Sequence, residues 1–180
     1  MSALRSVSNS LMREALFGSN RVLDPAHGTN KRLEGHALVV EQDQASIRLD
    51  ELGTVVVTQP VRDEDDRSSH LELPVLIEED IRARTERGLL FTGWVLDHVD
   101  PVRRLSDVVV VATLLGGGYL GWRTRAEHTA NPNTVPGALG SSDRVLVGLS
   151  PARRNRAAVT LDAARISEDV TVLLRREIRR

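Results

Sequence analysis

Apolar residues recur at three- and four-residue spacing over residues 3–17, where Ala3, Leu4, Val7, Leu11, Ala15 and Leu16 share one face and Gly18 offers a stop. That period predicts an amphipathic helix. Ser6, Ser8, Asn9 and Ser10 fill the other face, and such residues compete with the helix for backbone hydrogen bonds. The helix therefore needs a surface to dock on, in this domain or on another protein, with Leu4, Val7 and Leu11 as the docking stripe.

Beyond Gly18 the pattern changes. Residues 19–35 read as a loop with a short strand at 21–23, because Asn, Asp-Pro and Gly punctuate them. His36–Glu41, Ala45–Leu49 and Thr54–Thr58 are short β-branched runs separated by turn residues, which predicts a β-meander ending at Pro60. Leu71–Leu76 reads as a further strand, held to an edge or bulge by Pro74. Ile77–Arg87 reads as a short charged helix stopped by Gly88.

The stretch Gly88–His128 holds both tryptophans, the only tyrosine and the longest apolar run, so it is expected to form the middle of the core. Within it, Leu89–Asp97 reads as strand, Asp100-Pro101 as a turn, and Asp107–Leu115 as a strand buried on both faces by its unbroken apolarity. Gly116-Gly117-Gly118 reads as a turn, and Tyr119–Glu127 as the next strand. His128–Asp143 is a long Asn/Pro/Gly/Ser connection of the kind that is functional or disordered. Arg144–Leu149 and Ala157–Leu161 read as strands. Ser167–Arg179 closes the chain as a helix, with Val170, Leu173, Leu174 and Ile178 in a stripe, Ser167 as the cap and Glu168 and Asp169 in the first turn.

These elements predict an α+β fold: a mostly antiparallel, bent sheet, barrel- or sandwich-like, of about seven or eight strands. An N-terminal, a central short and a C-terminal helix pack on it. The N-terminal helix occupies 1–18 and one α+β domain 19–180, with a lobe boundary near residue 88.

Composition narrows the chemistry. The chain has 180 residues, 41% hydrophobic and only 3% aromatic, so the core is aliphatic. There is no cysteine, which excludes disulfides, thiol catalysis and Cys-ligated metal. No run reaches the length of a transmembrane segment, and the N-terminus lacks the layout of a secretory signal, so a cytoplasmic location is expected. Lys31 is the one lysine among 24 basic residues, a bias that suits a GC-rich bacterial genome. Residues 1–90 carry net −5 and residues 91–180 net +4, together the chain's −1. The two halves either neutralise each other or leave a basic C-terminal face for an anionic partner.

Three groupings carry candidate chemistry. Asp97, His98 and Asp100 form the densest set; on a strand His98 and Asp100 share a face, as a general base or metal ligand pair requires. Trp122-Arg123-Thr124-Arg125, extended by Arg153, Arg154 and Arg156, combines an aromatic with arginines as nucleic-acid or anion contacts do. Gly116–Gly118 and the acidic run Asp63–Asp66 with His70 lack the partners of a phosphate loop or a calcium loop. No nucleophile elbow is present, and no cofactor is implied. The leading expectation is a non-catalytic interaction or regulatory domain that docks a protein partner, or a copy of itself as a homo-oligomer, through polarised charged surfaces. A nucleic-acid-associated module using the five arginines, and a hydrolase or metal-assisted enzyme around Asp97, His98 and Asp100, are the alternatives.

Overall fold

A computed structural model describes residues 2–61, 75–115, 121–131 and 144–178, with side chains from Val7 onward. The acidic run Asp63–Asp66, His70, Gly116–Gly118 and the part of the 128–143 connection after Asn131 lie outside the described residues. The fold is α+β, with eight strands and five helices among the described residues. The strands fall into one four-stranded sheet and two two-stranded sheets, and no described sheet closes into a barrel. The chain folds as two compact units, one of residues 1–60, 86–108 and 155–163, the other of residues 61–85, 109–154 and 164–180.

The first unit is built on the meander. Strands β1 (Asn30–Glu34), β2 (Ala37–Gln42), β3 (Ala45–Asp50) and β4 (Val55–Thr58) pair antiparallel in chain order. Register sets Val40 opposite Ile47 and Leu38 opposite Leu49, then Ile47 opposite Val57 and Leu49 opposite Val55. Alternation thus directs one face of each strand into the core. On the other face Arg32 bonds Glu34 at 2.7 Å and Glu41 at 2.6 Å, and Arg48 bonds Glu34 at 3.0 Å. Those hydrogen bonds and charges hold Glu34 and Glu41 below the usual carboxylate range. Asp50 closes the β3–β4 turn. Burial pushes its carboxyl up, but bonds from the turn, Thr54 foremost, outweigh this and leave it lowered. Gly53 sits there at φ +89°, a region L side chains rarely adopt.

Helix α1 (Ser2–Phe17) docks on this sheet, which answers what its apolar stripe covers. Leu11 and Ala15 are buried in the core cluster and Val7 packs against it. The lone lysine, Lys31 on β1, donates to Ser8 Oγ at 3.4 Å and to Asn9 Oδ1 at 2.8 Å, tying the polar face to the same sheet. Residues 21–23 form no strand; Val22 and Leu23 both donate their N–H to the Ala15 carbonyl at 3.0 Å and bury their side chains as loop residues. The buried Gln42 amide holds the loop that follows, donating to the carbonyls of Asp24 and His27 and accepting from Asp24 N.

The largest departure from the sequence reading is α2 (Glu78–Val99), one helix of 22 residues. Gly88 does not stop it, and Leu89–Asp97 is helix, not strand. Glu78, Glu79 and Asp80 favour its N-terminus. Its second half places Phe91 and Val95 four apart, both fully buried in the first unit's core. Helical spacing thus satisfies the apolar positions that alternation explained only in part. Gly93 is buried where α2 meets α4 (Ala158–Leu161), the segment read from sequence as a strand. A Cβ on Gly93 would lie 2.2 Å from Thr160 Oγ1, so the bare backbone is what permits the approach.

In the second unit β5 (Val75–Ile77) and β7 (Gly121–Arg123) pair parallel, with Leu76 opposite Trp122. Trp122 is buried, and its Nε1 donates to Glu78 Oε2 at 2.8 Å. The strand expected at 119–127 ends at Arg123. Thr124 then caps α3 (Arg125–Ala130) by a capping box with Glu127, the Thr-x-x-Glu signature of a helix start. Helix α5 (Ala163–Ile178) starts earlier than Ser167. Ser167 is no cap: it is fully buried, its Oγ donates to the Ala164 carbonyl, and Thr171 Oγ1 donates to the Ser167 carbonyl. Ile166, Val170, Leu174 and Ile178 form the buried stripe.

Candidate functional site

The Asp97–His98–Asp100 set lies at the C-terminal end of α2 and just beyond. On a helix, residues two apart do not share a face, so the arrangement expected on a strand is not formed. His98 stacks on Trp94 with ring centroids 3.7 Å apart, and its Nδ1 lies 3.0 Å from the Trp94 carbonyl, to which a protonated nitrogen donates. The buried Arg156 donates to Asp100 Oδ2 and to Asp97 Oδ1, each at 2.8 Å. The Asp100 carboxylate also accepts Leu105 N at 2.8 Å and Arg104 N at 3.0 Å. These amide donors, Leu105 first, and the neighbouring guanidinium hold the Asp100 carboxyl below its usual range against the opposing effect of burial. Asp97, Asp100 and Arg156 thus join the end of α2, the 100–105 loop and the 155–157 turn. Among the described residues no group of three or more His, Asp or Glu side chains is placed to hold a metal ion.

The five arginines have separate placements. Arg123 is buried and donates to the Asn131 carbonyl at 2.7 Å. Arg125 bonds Asp80 through its guanidinium and Glu79 through its backbone N–H, the latter at 2.8 Å. Arg154 is half-buried, Arg153 is exposed, and Arg156 belongs to the buried set above. Two of the five therefore commit a buried guanidinium to partners within the chain, and a third pairs at the surface.

A surface that charge patterns did not suggest stands in the second unit. Strand β6 (Asp107–Leu115) pairs with β8 (Arg144–Asn155) as a two-stranded ribbon. Just outside it, Arg156 N donates to the Ser106 carbonyl at 2.8 Å, setting the start of β6 beside the end of β8 as in an antiparallel pair. The run Val108–Leu115 is not buried on both faces as its apolarity implied. Exposure alternates along it: Val109, Val111 and Leu115 are 63%, 56% and 63% exposed, and Leu146 on β8 is 55% exposed. Alternate positions face inward, with Leu114, Val147 and Leu149 buried. Thr113 on β6 and Gly148 and Ser150 on β8 are also exposed, and the exposed charges of the ribbon are Asp107, Arg144 and Arg153.

The two edges of the ribbon differ. β8 carries Arg144, Gly148, Pro151, Arg153 and Arg154, residue types that blunt an edge against further pairing. β6 carries no charge, glycine or proline from Val108 to Leu115, and among the described residues it pairs with β8 alone. In sequence the signal was present as the longest uncharged run, but apolarity alone does not separate a buried strand from an uncovered one.

Among the described residues no helix is long and apolar enough to cross a membrane. Comparison with protein-family models, with curated proteins and with solved structures returns no match.

Proposed function

We propose that this chain is a non-catalytic interaction module whose docking surface is the outer face of the β6–β8 ribbon. The observation that carries this reading is the cluster of Val109, Val111, Leu115 and Leu146, all more than half exposed on two paired strands. Single exposed apolar residues are ordinary on protein surfaces, whereas a cluster of them on one face marks a site of contact. Covering such side chains is favourable by about 25 cal/mol for each Å² of apolar surface removed from water. The charged groups take a secondary place in this reading, because Arg123, Arg125 and Arg156 already have partners within the chain.

Photo-crosslinking in cells tests the reading. A benzoylphenylalanine placed at Val111 is expected to give discrete protein adducts, while one placed at Leu161, exposed on α4 of the first unit, is not. A Val111 position that yields no more adduct than Leu161 sinks the proposal.

A further inference from the structure

We draw no further inference here: the strongest candidate, the exposed apolar face of the β6–β8 ribbon, belongs to the docking surface already described, and nothing in the structure shows what covers it.

Discussion

Arg156 and Asp100 form a buried ion pair. Arg156 Nη1 lies 2.8 Å from Asp100 Oδ2 and 3.2 Å from the Asp100 carbonyl, and the two side chains are 8% and 11% exposed. Asp97, bonded to the same guanidinium at 2.8 Å, is 57% exposed. The two carboxylates therefore differ in energetic weight although their distances match.

Removing Arg156 leaves the Asp100 carboxylate buried without its cation. Arg156→Met should lower the stability of the first unit clearly more than loss of the Asp97 partner does, because the carboxylate least open to solvent loses its cation. Asp97→Asn should cost less than about 1 kcal/mol, because solvent already screens that partner. The two tryptophans, Trp94 in the first unit and Trp122 in the second, allow the check. Urea titration followed by fluorine resonances of fluorotryptophan reads each unit separately. Equal shifts of the Trp94 midpoint in both variants would contradict the assignment.

The same carboxylate makes the first unit acid-sensitive. Asp100 is lowered by the Leu105 and Arg104 N–H groups and by Arg156. An unfolded aspartate titrates near about 3.9. Between the folded value and that one, the unfolded chain binds more protons, so stability rises with pH across the interval and is lost as pH falls through the folded value. The Trp94 resonance should therefore lose native intensity below about pH 4. Asp100→Asn should be less stable at neutral pH and show a flatter acid limb. Asp50, Glu34 and Glu41, also lowered, leave a residual slope in that variant.

Three strands of the meander, α1 and the terminal stripe were legible because their apolar periods are unambiguous, whereas β1 (Asn30–Glu34), mostly charged and flanked by Gly28 and Gly35, lay in a stretch read as loop. Ile47 and Leu49 alternate cleanly, and Val170, Leu174 and Ile178 repeat every four. Residues 89–97 were not, since a short apolar run with two nearby glycines fits either element. Tertiary burial of Phe91 and Val95 settles it as helix. The ribbon was half legible: the uncharged run marked β6, yet only the structure separates inward Leu114 from outward Leu115. The arginines misled for a related reason. Sequence shows where a guanidinium is, but not that Asn131, Asp80 or Asp100 already occupies it.

Glu78 holds two partners in the second unit, accepting from Trp122 Nε1 at 2.8 Å and from Arg175 Nη1 at 2.9 Å and 3.1 Å on its two oxygens. Glu78→Ala leaves the indole N–H of a buried ring without an acceptor, at a cost of about 1–3 kcal/mol. Glu78→Gln retains a carbonyl for the indole and loses only the charge on a half-buried pair, so it should recover most of that loss. The Trp122 resonance checks both variants. A Gln variant as unstable as the Ala variant would show that the ion pair with Arg175, and not the indole bond, is what matters.

Two glycines five residues apart in α2 should respond to alanine in opposite directions. At Gly88 an added Cβ meets no described atom within 4 Å. Alanine there gains helix propensity, so Gly88→Ala should stabilise by up to about 1 kcal/mol. At Gly93 the same atom would lie 2.2 Å from Thr160 Oγ1, with Thr160 Cβ at 3.5 Å and Val159 Cγ1 at 3.9 Å. The clash outweighs the propensity gain, and Gly93→Ala should destabilise by about 1–2 kcal/mol through overpacking. Deleting the hydroxyl removes the 2.2 Å contact and leaves only ordinary van der Waals distances. In a Thr160→Ala background, Gly93→Ala should therefore become neutral or stabilising, a coupling that a double-mutant cycle measures directly. Additive single effects would mean that Gly93 is kept for a reason other than the approach of α4.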